Sequence, residues 1–364
     1  MGRFRRAPRR LMALLINKIQ ALRFSPDRAY REGASGDVHF CDFTLEEEDK
    51  RIAVVEAGRI YTDRGNVIAV MRRRALIPVV SWHYHHGGPL WDVDPLIRQR
   101  VIQISSRPTR MHGTLISLLT GGGANGNFYH WMFDALPRLY LVDRAIQRSD
   151  SDRYLVPDDL YPFQRETLAL LGITPDHWIA SRELQHIRAD RLVATIHPNR
   201  NAQAIPQWMI NFLRESFLKQ APSAGAAEFI YISRKDSQNG RRPENESEIV
   251  RILGSIGFVV LCLAELRFVE QVNAFAAAKM VVSTHGAGLS NLAFSSSGAV
   301  VYELFASTYQ PDMYEQLARG RGMEYHKIVC PASEGETTAQ RSGFHLPMQV
   351  IDRIVRHAQS LAHP

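Results

Sequence analysis

The chain is poor in cysteine. Cys41, Cys262 and Cys330 are the three in 364 residues, far apart and odd in number. They form neither a metal-ligand spacing nor a disulfide framework, which points to a reducing compartment. Cys262 lies in an apolar run and reads as a small core residue. A long hydrophobic run is also lacking in the tail. Leu11-Met-Ala-Leu-Leu-Ile16 is too short to span a bilayer, and Asn17, Lys18 and Gln20 break the apolar character directly after it. It is short for a signal peptide, and no small-residue cleavage site is obvious. Arg6 stands where myristoylation would need Ser or Thr. The body of the chain lacks a charge of one sign. The formal charge is +7, yet residues 1–32 carry nine Lys/Arg against Asp27 and Glu32, and the remainder balances. A nucleic-acid-binding body would keep its basic excess on the folded domain, so no nucleic-acid partner is expected. The expected location is cytoplasmic. The basic N-terminus suits either peripheral contact with an anionic membrane surface or a tail without structure.

What the sequence does have is concentrated in Lys279-Met-Val-Val-Ser-Thr-His285-Gly-Ala-Gly-Leu-Ser-Asn291. Met280–Val282 form an apolar run of strand length. Gly286 and Gly288 let the backbone turn sharply and approach a ligand closely. Leu289, Leu292 and Phe294 then suit a helix packing back on a sheet. The free N–H groups at that helix start would welcome an anion, and His285 lies at the same edge.

The first third is β-rich and irregular. Val67–Met71 and Leu76–Val80 are short apolar runs separated by Arg72-Arg-Arg74. His83-Tyr-His85-His86 could chelate from one strand face, and Asp92-Val-Asp94 resembles a two-carboxylate motif that holds a divalent ion. Both patterns also arise in exposed loops. Further on, Leu115–Leu119 reads as a strand and runs into Gly121-Gly-Gly-Ala-Asn-Gly126. That loop matches the dinucleotide fingerprint G-x-G-x-x-G, but no acidic strand end lies about 20 residues on. A helix comes next, with Asn127, His130 and Asp134 on one face. A histidine one turn before a carboxylate, behind a glycine loop, suits general-base work. The spacing equally fits an exposed i,i+4 ion pair. Pro137 should end or kink the helix.

Beyond Gln220–Ala227, a flexible linker by composition, strands and helices alternate regularly. The strands are Phe229–Ile232, Phe258–Leu263, Met280–Thr284 and Ala299–Tyr302. The helices are Glu246–Leu253, capped by Asn245 with Glu248, then Phe268–Ala278 and Leu289–Phe294. This order implies a parallel doubly wound sheet, with ligand outside the strands' carboxyl ends. Those ends carry Ser233-Arg234-Lys235, Arg241-Arg242, His285-Gly286 and Glu303. Guanidinium forks match phosphate oxygens, and a carboxylate at the next strand end can accept ribose hydroxyls. The implied ligand is a nucleoside diphosphate.

Asn127-Phe-Tyr-His-Trp-Met-Phe-Asp134-Ala-Leu-Pro-Arg138, Ser233-Arg234, Arg241-Arg242 with Asn245-Glu246, His285-Gly-Ala-Gly-Leu-Ser-Asn291 and Tyr302-Glu303-Leu304 come in a distinctive order. In that order and spacing the chain resembles glycosyltransferase family 61 over roughly residues 115–305. Pro243-Glu244 departs from the aliphatic pair usual there. The resemblance implies an α/β fold of two Rossmann-like doubly wound domains facing a cleft (GT-B), with a β-rich N-terminal extension. The expected segments are a basic tail (1–35), a β-rich region (36–114) and an acceptor-side domain (115–219). A nucleotide-sugar domain (220–330) and a C-terminal segment with a helix (331–364) complete the chain. The resemblance further implies an inverting, metal-independent transferase without a cofactor, acting in polysaccharide biosynthesis. Its partners would be a nucleotide-sugar donor and a glycan or lipid-linked acceptor. Asp134 and His130 would be catalytic, with Asp134 favoured as base. Asn127, Arg234, Arg242, His285, Gly286, Ala287, Gly288, Leu289, Asn291 and Glu303 would bind substrate, with Glu303 on the ribose. Two rival enzyme readings stay open: an NAD-dependent oxidoreductase using Gly121–Gly126, and a metal-dependent GT-A transferase using Asp92 and Asp94. A non-catalytic scaffold anchored by its tail is a third.

Overall fold

The computed structural model describes residues 36–46, 48–63, 67–73, 75–83, 88–89, 107–199, 205–220, 227–235, 241–333 and 341–362. The basic tail, His85, His86, Asp92, Asp94 and most of the expected linker lie outside them. Two compact units emerge. One comprises residues 1–160 and 173–200, the other residues 161–172 and 201–364.

Among the described residues the first unit holds one sheet of eleven strands. In chain order they are β1 (Val38–Leu45), β2 (Glu48–Glu56), β3 (Gly58–Thr62), β4 (Val67–Arg72), β5 (Ala75–Leu76) and β6 (Trp82–His83). Then come β7 (Gly88–Pro89), β8 (Thr109–Ser117), β9 (Arg153–Val156), β10 (Trp178–Ala180) and β11 (His186–Thr195). Strands β10, β9, β8 and β11 run parallel, as an α/β unit requires. The long β11 then pairs antiparallel with β3 through His186–Arg188 and with β2 through Arg191–Thr195. So the β-rich segment is no separate extension. It completes the sheet begun by residue 109 onward, and this sheet is mixed rather than a second fully parallel one. The shared core makes the same point: Val55, Ile60, Val70 and Trp82 pack with Leu115, Leu155, Ile187 and Leu192.

After β8 the chain enters the expected helix, but in an unusual form. A turn at Phe128–His130 passes into a π-helical stretch at Trp131–Ala135, and α1 (Pro137–Ala145) continues from it. Pro137 neither ends nor breaks the helix. Lacking an N–H, it sits at the first position of α1, and the Leu136 N–H reaches back five residues to Trp131 O at 3.0 Å.

The second unit holds five parallel strands: β12 (Phe229–Ser233), β13 (Val259–Cys262), β14 (Met280–Thr284), β15 (Val300–Ala306) and β16 (Glu324–Cys330). Their order is β13-β12-β14-β15-β16, a doubly wound sheet whose direction of winding reverses between β12 and β14. Its helices are α2 (Pro162–Leu170), α3 (Gln207–Phe217), α4 (Glu246–Gly254), α5 (Phe268–Ala277), α6 (Met313–Gly320) and α7 (Met348–Ala362). Phe217 of α3 packs edge-on against Phe268, and Glu166 of α2 accepts from the Phe268 and Val269 N–H groups that open α5. Thus α3, expected in the first domain, belongs to this unit. Asn245 does not cap α4. Its amide bonds both backbone groups of Leu346 at 3.0 Å and touches the Glu248 carboxylate at 3.5 Å, but accepts from no N–H of the helix. Among the described residues no helix is long and apolar enough to cross a membrane.

Candidate functional site

In the second unit the chemistry gathers where β12 and β14 end, beside Glu303, which lies in the middle of β15 rather than at a strand end because that strand runs on to Ala306. Topology explains why: adjacent loops diverge at the winding reversal and leave a crevice there. Arg234 comes just after β12 and His285 just after β14. The Arg234 Nη1 donates to the His285 carbonyl at 2.7 Å. The guanidinium crosses directly over Gly286, where an added Cβ would lie 1.7 Å from Nη1. Gly286 itself has extended backbone, so closeness, not conformation, demands the glycine. At Gly288 an added Cβ would meet the end of Leu263 at 2.6 Å.

Behind His285 sits Glu303, fully buried. One carboxylate oxygen takes the His285 Nδ1 at 2.5 Å, and the other accepts the Tyr325 hydroxyl at 2.7 Å. Both oxygens are thus engaged inside the protein, unlike the ribose-binding carboxylate that the sequence suggests. The physical role they leave is orientation of the imidazole. Burial lowers the His285 pKa. The hydrogen bond and charge of Glu303 oppose that shift, while Arg241 and Arg234 add to it. Phe305 stacks on the ring at 5.2 Å, and Tyr309 and Tyr314 enclose it.

The two arginines of the pair differ in burial. Arg242 is exposed. Arg241 is half-buried over the Tyr309 ring at 5.1 Å, with a buried Nε that no group among the described residues accepts. Burial lowers its pKa, and Tyr309, Tyr314 and Glu303 counteract this.

The helix after Gly286 is a 3₁₀-helix, Ala287–Phe294, rather than an α-helix. Side chains occupy its carbonyls: Asn291 Nδ2 donates to Gly288 O at 3.1 Å and Arg214 Nη1 to Ala293 O at 2.9 Å. Asn291 also donates to Gln271 Oε1 at 3.0 Å and is fully buried, as is Leu289 nearly so. These two residues secure the turn from inside. Ala287 and Gly288 are half-exposed.

In the first unit His130 and Asp134 do meet. His130 Nδ1 lies 2.6 Å from Asp134 Oδ2, with side-chain exposures of 21% and 6%. Asn127 caps the turn below them, accepting from the Tyr129 and His130 N–H groups. Two partners escape a reading of the sequence. Arg138, buried one turn on, donates to Asp134 O at 2.9 Å and Thr195 Oγ1 at 2.9 Å, and burial lowers its pKa to about 10. His197, just past β11, places Nε2 3.7 Å from Asp134 Oδ2 and stacks on Trp82 at 4.4 Å. Burial, the largest influence, takes its pKa down to about 4, so it is neutral. The signal for His197 is its place at the carboxyl end of a strand parallel to β8. A histidine before proline carries no motif of its own.

Residues 128–302 match the family described as Glycosyltransferase 61, the one that the motif order resembles. The chain is 36% identical over 145 residues to protein O-linked-mannose beta-1,4-N-acetylglucosaminyltransferase 2 of Tetraodon nigroviridis, covering 36% of this chain and 25% of that protein. It is 30% identical over 77 residues to beta-1,2-xylosyltransferase of Arabidopsis thaliana, 21% of this chain and 14% of that one. To beta-1,2-xylosyltransferase RCN11 of Oryza sativa subsp. japonica it is 25% identical over 144 residues, 35% and 27% of the two chains. The matched part therefore spans between 14% and 27% of the length of these relatives.

Proposed function

We propose that this chain, whose residues 128–302 match glycosyltransferase 61, transfers a sugar from a nucleoside-diphosphate donor to a glycan or lipid-linked acceptor, in polysaccharide biosynthesis. The reading assigns it a GT-B organisation, the second unit binding donor and the first activating acceptor. The observation that carries it is the guanidinium of Arg234, fixed on the His285 backbone at the sheet's winding reversal. With Arg241 it brings two cations to a crevice edge where phosphate oxygens bind readily.

In the reaction, an acceptor hydroxyl attacks the anomeric carbon from the face opposite the diphosphate. The bond from that carbon to the phosphate oxygen breaks, and inversion results. Arg234, Arg241 and His285 stabilise the charge growing on the leaving diphosphate, in the role a metal takes elsewhere. Glu303 acts through His285 by fixing its orientation. The acceptor's proton passes to the His130–Asp134 pair. Because Asp134 is the more buried member, His130 is the group that receives the proton and Asp134 holds the developing imidazolium.

Calorimetry with a panel of nucleoside diphosphates tests the donor half. Binding of one of them should be lost in both Arg234→Ala and Arg241→Ala. Unchanged affinity in the two variants would remove the donor site from this edge.

A further inference from the structure

On the opposite face of the same sheet lies a cluster that the proposed transfer does not use. Tyr302 and Glu303 are neighbours on β15, so their side chains point to opposite faces. Tyr302 faces α7, and His326 on β16 lies beside it in register, the rings stacked at 4.3 Å. Glu324 shares that face two residues earlier. His357 comes from α7.

We infer that Glu324, His326 and His357 form a site for a divalent transition-metal ion of the zinc class, pinning α7 to the edge strand β16. The Glu324 carboxylate stands between two imidazoles: Oε1 is 2.6 Å from His326 Nε2 and Oε2 is 3.9 Å from His357 Nε2. One ligand atom from each residue lies within 4.8 Å of the others. Bonds of about 2.0–2.1 Å to a shared ion need only small side-chain rotations from there. Two histidines and one carboxylate leave a coordination position for water. Nitrogen-rich sets of this kind select zinc or its transition-metal neighbours over magnesium or calcium.

A second, independent feature supports the assignment. His357 Nδ1 is 3.0 Å from the Tyr302 hydroxyl. Metal-bound histidines characteristically give the N–H of the far nitrogen to an oxygen, which fixes the tautomer and aims the ligand nitrogen. Here the nitrogen aimed at Glu324 is Nε2. Arg353 lies over the Tyr302 ring at 5.4 Å and is the nearby cation that opposes binding. The exposed Glu324 carboxylate offsets its charge. Since the cluster faces away from His285 and Glu303, its function is to hold the C-terminal helix, not to take part in transfer.

The test is calorimetric titration of the metal-free full chain with Zn²⁺, read beside thermal unfolding. One ion per chain should bind and raise the unfolding midpoint, because it binds only the folded arrangement. His326→Gln with His357→Gln should abolish both effects while matching the metal-free wild type in its own unfolding midpoint. Tyr302→Phe keeps the ring and should weaken Zn²⁺ by about tenfold. Nucleoside-diphosphate affinity should not change with Zn²⁺. Absence of stoichiometric Zn²⁺ binding overturns the assignment. So does undiminished binding by the double variant, which would move the ion to other histidines such as those around His83.

Discussion

Arg234 reaches the backbone of His285 only because residue 286 has no side chain: the donor–acceptor distance is 2.7 Å, and an added Cβ would stand 1.7 Å from the donating nitrogen. The obstructed atom is the far end of a flexible side chain. Gly286→Ala should therefore displace the guanidinium without unfolding the sheet. Nucleoside-diphosphate affinity should fall about tenfold to a hundredfold, the worth of a charge-assisted hydrogen bond. Combined with Arg234→Ala, the second substitution should add almost nothing, since both remove one interaction. Fully additive losses in calorimetry would mean that the glycine and the arginine act separately.

The His130–Asp134 pair makes a different prediction. Asp134→Asn keeps the shape but removes the charge that supports an imidazolium on His130. Turnover should drop by about a hundredfold to ten-thousandfold. Affinity for the nucleoside diphosphate should stay at the wild-type value, because the donor cations belong to the other unit. A kinetic assay at saturating donor and acceptor separates the two. Wild-type turnover would remove Asp134 from proton transfer.

The fold and the site are unevenly legible in the sequence. Strand β14 and its glycine turn are legible because a short apolar run stops at small residues, as β12 stops at Ser233, whereas β15 runs four residues past the expected end at Tyr302 because Glu303 is buried within it. Strand β16 is not. As the sheet's edge it alternates exposed and buried residues, and Glu324, His326 and Lys327 hide it among polar loops. The pairing of His130 with Asp134 is a consequence of helical spacing and survives the π-helical stretch. The burial of Glu303 has no local signal. It depends on Tyr325, which arrives from β16, the strand that the sequence conceals. Likewise the union of residues 36–114 with the later strands rests on long-range pairing with β11, to which periodicity is blind.

His285 should couple donor binding to proton uptake. Burial, chiefly, holds its pKa below the ordinary imidazole value in the free protein. A diphosphate beside the ring adds negative charge, which favours the protonated form and raises the pKa. The complex then binds more protons than its parts between the two values. Affinity must fall as pH rises through that window, by at most about tenfold per pH unit. Calorimetry in two buffers of different ionisation heat measures the protons taken up. Glu303→Gln removes the carboxylate that supports the charged ring and should reduce the uptake. Equal heats in both buffers, with affinity flat in pH, would sink this coupling.

His197 gives a prediction about stability instead. Its folded pKa is about 4, mainly through burial, against an ordinary value near 6.5 when unfolded. Between those values the unfolded chain binds a proton that the folded chain refuses. Stability therefore rises with pH across the window. The contribution is whole above the unfolded value and is lost as pH falls toward the folded one. The loss should approach about 3 kcal/mol for a group this well buried. His197→Gln cannot titrate, so the difference in unfolding free energy between wild type and variant should shift by that amount between neutral pH and pH 4. Denaturant melts at a series of pH values supply it, and parallel curves would show that the ring is not held neutral. The consequence reaches the proposed chemistry. Asp134 has His130 at 2.6 Å and His197 at 3.7 Å, and a neutral His197 leaves the nearer imidazole as the histidine whose charge its carboxylate supports when the acceptor loses its proton.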